Sequence, residues 1–382
     1  VSSARLGLLL VTLQAASDAA RPIGPTVPPW ASPTLAPSRP QPTATTSSSL
    51  RQLYLPLTID RKYSAWPPPF EDLCSIGPTF SAIAAVDDRA WIADGLTLAL
   101  LTQDGGAPRL TERSANLPAP PRLLATGEDL LVAIAGSREL IVLKRPADAA
   151  PEALGQLELP DHVIDLTVVA DHVYVATAFC GIFTVDLSLP ARPRILSILG
   201  TPRAPRRLLA ADGWLLSIGM PSGSSSPIAV ASLATPSRPE WVREQVARSY
   251  SSTSMATDGK RVFIVPGDAG AAAKLTAYQI APDGVLVEDR DWSVALEAAM
   301  GSWGTVGLVG IAASRDWLLL WGEQAIVAVE RSGDGLPQRI AFWVPGPKLR
   351  YSAMALTDGS AYALTWGLTA GASIGGPDTT MR

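Results

Sequence analysis

The sequence predicts an all-β fold: a seven-bladed β-propeller, with a six-bladed or incomplete ring as the alternative, preceded by a disordered N-terminal segment. Three observations predict it. One short phrase, an apolar strand, a polar turn and a second apolar strand, returns seven times between residues 82 and 366. The copies recur at a period in the low forties, roughly the length of a four-stranded blade. A second hairpin follows six of them, and a proline recurs where its last strand begins.

The composition fits this class. Of the 382 residues, 47% are hydrophobic and only 17% charged, which suits a large strand-rich core and argues against global disorder. A net charge of −4 gives no reason to expect nucleic acid, whose affinity depends on Lys and Arg neutralising phosphates. Residues 1–20, "VSSARLGLLLVTLQAASDAA", carry one Arg, an apolar core from Leu6 to Leu13 and then small residues, the layout of a secretory signal. That apolar run is too short to span a bilayer, so no transmembrane segment is expected in the mature chain. Residues 21–50 are rich in Pro, Ser and Thr and almost uncharged; such a stretch reads as an extended linker. Together, signal and linker predict a secreted or cell-surface protein. Residues 51–72 supply a strand, "RQLYLPLTI", and an entry segment; the propeller is assigned to 73–370 and a tail to 371–382.

The first hairpins include "AIAAVDDRAWIAD" (Ala82 to Asp94), "LTVVADHVYVATA" (Leu166 to Ala178) and "SMATDGKRVFIVP" (Ser254 to Pro266). With Asp87, Gly127, Asp171, Asp212, Asp258, Arg315 and Asp358 as turn markers, the intervals are 40, 44, 41, 46, 57 and 43 residues. Each marker stands where a tight turn needs residues tolerant of unusual backbone angles. In the second hairpins, Pro108, Pro151, Pro193 and Pro239 recur at intervals of 43, 42 and 46, each at a strand start where a missing N–H costs least.

The third unit, "VIDLTVVADHVYVATAFCGIFTVDLSLPARPRIL" (Val163 to Leu196), resembles the LVIVD repeat of exported bacterial propeller proteins. Gly181, Val185, Asp186, Ser188, Pro190 and Pro193 stand where that pattern has its marks; unit 4 keeps Pro236 and Pro239, and other units keep the rhythm more than the letters. The resemblance implies a propeller scaffold and little chemistry. After Trp366 the last unit loses its outer strand pair. Either "QLYLPLTI" closes the ring, or the natural chain continues beyond Arg382.

Chemistry is sparse. The two histidines, His162 and His172, flank one strand of unit 3 and so fall on opposite faces of the disc, which excludes a shared metal. Cys74 and Cys180 are a candidate disulfide pair, although they belong to units two steps apart; no zinc spacing is present. No nucleophile elbow, zinc-binding helix or phosphate loop appears, and neither a metal nor a cofactor is expected. Asp161 and Asp165 are the carboxylates a hydrolase or lyase would use, with Arg206 or Arg207 beside them.

Ligand-binding candidates come from two patterns. Segments leading into the inner strands repeatedly carry cations, Arg122, His162, Arg206, Arg207, Arg248 and Arg350, which would make the channel mouth of an acidic protein positive. The 57-residue interval carries an insertion, Asp289 to Gly307, with an expected short helix at Ser293 to Met300 flanked by Trp292 and Trp303, rings able to stack on a sugar or side chain. The sequence therefore predicts a non-enzymatic extracellular binding module for a protein, a carbohydrate or an anionic ligand. A propeller enzyme and a purely structural surface protein are the alternatives.

Overall fold

In each unit the middle strands carry unbroken apolar runs, a pattern that strands adopt when both of their faces are covered. A computed structural model describes residues 53–58, 80–86, 89–104, 107–114, 117–145, 151–201, 203–219, 227–246, 252–266, 275–300, 308–314, 317–322, 326–331, 336–343, 349–356 and 360–367. All of them belong to one unit, Ser47–Arg382; the other unit, Val1–Thr46, lies outside the described residues.

The fold is a β-propeller with six four-stranded blades, each an antiparallel meander in chain order. Blade 1 contains β2 (Phe80–Val86), β3 (Arg89–Asp94), β4 (Thr97–Asp104) and β5 (Ala107–Ser114). Blade 2 contains β6 (Pro121–Thr126), β7 (Leu130–Ala135), β8 (Glu139–Lys144) and β9 (Glu152–Glu158). Blade 3 contains β10 (Val163–Val169), β11 (His172–Thr177), β12 (Ile182–Asp186) and β13 (Arg194–Leu199). Blade 4 contains β14 (Pro205–Ala211), β15 (Trp214–Gly219), β16 (Pro227–Ser232) and β17 (Glu240–Val246). Blade 5 contains β18 (Ser252–Thr257), β19 (Arg261–Pro266), β20 (Thr276–Ile280) and the short β21 (Leu286–Glu288), followed by helix α1 (Arg290–Met300). Blade 6 contains β22 (Leu308–Ala313), β23 (Trp317–Gly322), β24 (Ile326–Arg331) and β25 (Pro337–Trp343). A further sheet has three strands, in the order β1 (Leu53–Thr58), β27 (Ser360–Gly367), β26 (Leu349–Leu356). The N-terminal strand is built into this sheet: β1 pairs antiparallel with β27, Leu53 opposite Leu364. The first strands neighbour one another in the order β2, β6, β10, β14, β18, β22, β26, and β26 also lies against β2.

The core sits between blades. In β7, Leu131, Ala133 and Ala135 pack into a cluster with Trp91 and Leu98 of blade 1, while Val132 and Ile134 pack into another with Val173 and Phe183 of blade 3. One strand thus feeds two cores by its period of two. Outer strands, with nothing beyond them, alternate instead: in β13, Arg194, Leu196 and Ile198 face water. Polar links cross the seams of blade 4 with blades 3 and 5. Ser197 Oγ donates to the Ser237 carbonyl (2.8 Å), Trp241 Nε1 to the Gly200 carbonyl (2.5 Å) and the Leu286 N–H to Gln245 Oε1 (3.1 Å). These partners lie 40, 41 and 41 residues apart, one repeat length.

Local chemistry fixes the corners. Asp212 and Gly213 both take positive φ, 49° and 78°, the pairing of a two-residue hairpin turn whose twist matches the strands. Asp186, one of the repeat's marks, accepts from the Ser188 N–H (2.9 Å) and from Arg194 Nε (3.0 Å), tying the turn between β12 and β13. A feature that no residue type signalled recurs in every pairing of first and second strands: a register shift near the start of the first strand, as between Pro121 and Leu123, or Pro205 and Arg207. Such a bulge bends the strand and re-aims its side chains.

The seam between blades 5 and 6 holds a buried charge network. Arg331, 2% exposed, donates to Asp258 and to the Ser314 carbonyl. Arg261 pairs with Asp289 (2.9 Å) and lies near Asp258 (3.6 Å). The guanidinium of Arg261 lies over the Trp292 ring (5.6 Å) and that of Arg331 over Phe263 (5.9 Å). Removing one member strands its partner in a dry place. Asp258→Ala is expected to lower the unfolding free energy by about 3–5 kcal/mol, read from urea denaturation. Gly155→Ala should cost less, roughly 1–3 kcal/mol: an added Cβ there meets the Pro190 carbonyl oxygen at 2.3 Å, so β9 and the turn of blade 3 must part.

Candidate functional site at the mouth of the propeller

First strands begin on one face, and the loops between second and third strands emerge beside them. Hydrogen bonds join the two sets: the Val163 N–H donates to the Ser137 carbonyl (2.8 Å) and the Ala178 N–H to the His162 carbonyl (2.9 Å). One sector of this mouth is formed by blades 2, 3 and 4.

Asp161, 5% exposed, organises the blade 3 part. One carboxylate oxygen accepts from the His162 N–H (2.7 Å); the other accepts from Phe179 N–H (2.6 Å) and Cys180 N–H (2.9 Å). Burial pushes its pKa up, but these backbone donors outweigh burial and hold it below the ordinary carboxylate value. Asp165 has the opposite balance: burial raises its pKa, beyond what neighbouring Arg207 and the backbone N–H groups of Leu208 and Leu166 offset. The Leu208 N–H donates to Asp165 Oδ2 (2.8 Å), so this carboxylate stitches β10 to β14. The Cys180 thiol is raised by desolvation and by the Asp161 carboxylate, which disfavours the reactive thiolate.

Four expected ligand-binding residues lie in this sector. Arg122, at the β6 bulge, is exposed and directs Nη2 to the Val163 carbonyl at 3.4 Å. His162 is exposed just before β10, and Arg206 and Arg207 are exposed at the start of β14, between buried Pro205 and Leu208. Arg248, Trp303 and Cys74 lie outside the described residues; Arg350 is placed in β26, its backbone opposite Trp366. Cys180 is an exposed free cysteine.

Trp292 corrects the sequence reading. It is 1% exposed, its ring 5.0 Å from that of Phe263, in the core between blades 5 and 6. The reason is local. Asp289 caps α1, its Oδ1 accepting the Trp292 N–H (3.2 Å), and Trp292 and Leu296, four residues apart, form the helix's buried stripe. The helix itself spans Arg290–Met300, three residues longer at its start than expected, and lies against β20 and β25. It therefore stands where a longer outer strand would run. Sequence reading also passed over Phe179, which is 87% exposed on the loop held by Asp161; in a run of strand-like residues nothing marked it. Among the described residues, no group of three or more His, Cys, Asp or Glu is placed to hold a metal ion.

Fold and mouth together define a β-propeller whose described mouth sector carries exposed Arg122, His162, Arg206 and Arg207. No family model matches the chain, and no curated protein matches it in sequence. Solved structures share the fold. A candidate 6-phosphogluconolactonase from Bacteroides uniformis aligns with a TM-score of 0.54 at 14% identity, covering 78% of this chain and 100% of that one. A second, from Bacteroides fragilis, gives 0.52 at 13%, covering 79% and 100%. The Cps50 (Swd1) β-propeller domain of Myceliophteria thermophila gives 0.54 at 9%, covering 76% and 96%. At these identities the likeness is one of fold alone.

Two measurements check the roles given to the carboxylates. Asp161→Ala should release its loop, speeding amide exchange at Phe179 and Cys180 at least tenfold while leaving β11 and β12 protected. The Ser188 hydroxyl and N–H, with Arg194 beside them, hold the Asp186 carboxyl at about 2, against an ordinary 3.8. A depressed folded pKa stabilises fully above the ordinary value and is lost as pH falls through the folded one. Melting temperature should accordingly fall between about pH 4 and pH 2, and Asp186→Asn should flatten that limb.

Proposed function

We propose that this protein is an exported, non-enzymatic binding module whose propeller mouth receives an anionic ligand. One observation carries the reading: at the mouth, the carboxylates of Asp161 and Asp165 are engaged by backbone N–H groups, while the exposed titratable side chains include Arg122, His162, Arg206 and Arg207. A hydrolase or lyase needs a carboxylate within reach of substrate and able to exchange its proton. Here both are committed to holding backbone, and Arg122, His162 and Arg206 expose side chains to solvent, an arrangement suited to attracting negative charge.

The three-stranded sheet β1–β27–β26 is proposed as a seventh blade, supported by the contact of β26 with β2 on one side and β22 on the other. The resemblance of unit 3 to LVIVD repeats and the signal-like residues 1–20 support export of such a propeller.

Titration calorimetry with polygalacturonate and with neutral dextran tests the reading. Polygalacturonate should bind with an affinity that falls as salt rises, dextran should not bind, and the double variant Arg206→Ala/Arg207→Ala should weaken polygalacturonate several-fold. Equal binding of the two polymers, or an unchanged affinity in the double variant, would overturn it.

A further inference from the structure

Charges at the two ends of one strand cancel only when they lie within reach of each other, and in blades 2, 3 and 4 they do not. β6 carries exposed Arg122 at the mouth and runs into exposed Glu128 and Asp129 at its other end; β14 carries exposed Arg206 and runs into exposed Asp212. Between them, β10 follows exposed His162 and runs into exposed Asp171, whose carboxylate lies 2.6 Å from His172 Nδ1. The length of β6 holds its two ends about 20 Å apart, beyond the roughly 10 Å over which 0.1 M salt screens a charge. Neighbouring groups leave this pattern in place. Asp161 is spent on backbone N–H groups, and Asp165 accepts the Leu208 N–H and is offset by Arg207. Exposed Arg138 and half-buried Glu139 are neighbours in the chain and add no net charge. On the outer belt the polarity is reversed: exposed Glu158 ends β9 on the mouth side, and exposed Arg192 and Arg238 lie in the far-side turns before β13 and β17. In blade 5 the far turn offers exposed Lys260 beside Asp258, so the acidic sector stops at blade 4 on that side.

We infer that the mouth sector of blades 2, 3 and 4 receives the far face of a second copy of this chain, so that propellers associate head to tail. The inference rests on the reading of the mouth as an anion-receiving face and names its occupant. Both sets of charges ride on the same inner strands, so they share one blade-to-blade spacing. A copy displaced along the propeller axis without rotation therefore puts Glu128 and Asp129 over Arg122, and Asp212 over Arg206. The outer belts, acidic at the mouth and basic on the far side, are of opposite sign as well. Face-to-face pairing would instead set cations against cations or acids against acids, which complementary interfaces avoid. A head-to-tail contact leaves a free mouth at one end and a free acidic face at the other, so it continues past the dimer. Exposed ion pairs are individually weak and screened by salt, so the association belongs to concentrated protein at low ionic strength.

Sedimentation equilibrium at low and high salt tests this with two variants: Arg122→Glu/Arg206→Glu, which reverses the mouth, and Glu128→Lys/Asp129→Lys, which reverses the far face. The weight-average mass of the wild type should rise roughly twofold or more from dilute to concentrated samples at low salt, and return to the monomer at high salt. Each variant alone should stay monomeric. An equimolar mixture of the two should associate again, since each then offers the face the other lacks; circular dichroism verifies that both fold. A wild type that stays monomeric at low salt, association unchanged in either variant, a mixture that stays dissociated, or a mass that levels off at the dimer overturns the stacking. Polygalacturonate bound through Arg206 and Arg207 by a protein that never associates overturns the stacking while leaving the anionic mouth standing; a protein that neither associates nor binds polygalacturonate overturns both.

Discussion

Everything in this fold depends on one constraint: no blade can bury its own middle strands. A four-stranded sheet has two faces, and β7 uses both, giving Leu131, Ala133 and Ala135 to blade 1 and Val132 and Ile134 to blade 3. Each blade is therefore stable only as the covering of its neighbours, and a gap in the ring would leave two apolar faces wet. The repeat-length hydrogen bonds at the seams follow from this stacking. They satisfy polar groups that the contact would otherwise strip of water.

The same constraint explains why architecture was so legible and the site so little. A strand buried on both faces must read as an unbroken apolar run, so "VYVAT" and "GIFTVD" advertise β11 and β12 and their spacing advertises the blades. Turn chemistry was legible for the same local reason, at Asp212–Gly213 and at Asp186. The first-strand bulge left no mark, because an extra residue in one strand demands no special residue type. Strand closure was undecidable for a related reason: "QLYLPLTI" fits any strand slot, and its partner β27 lies at the other end of the chain.

At the mouth, residue types were visible and their duties were not. Asp161 reads in sequence as a carboxylate that a hydrolase or lyase would use; in three dimensions it faces the N–H groups of a loop eighteen residues on. Trp292 read as a stacking platform because an insertion in a repeat protein usually elaborates a surface. Here β21 stops after three residues, and the helix must fill the space left in the seam, which turns the indole inward. Phe179 is the reverse case, an apolar residue in an apolar run whose exposure only the loop geometry reveals.

The pairing of β1 with β27 has a consequence for how the protein is made. Leu53 meets Leu364, so β1 must wait for a strand made about 300 residues later before its hydrogen bonds to it can form. Until β27 emerges from the ribosome β1 lacks this partner, and their ladder is the most non-local strand pairing among the described residues. Synthesis is therefore the interval in which β1 is most exposed to mispairing, and the arrival of β27 ends it.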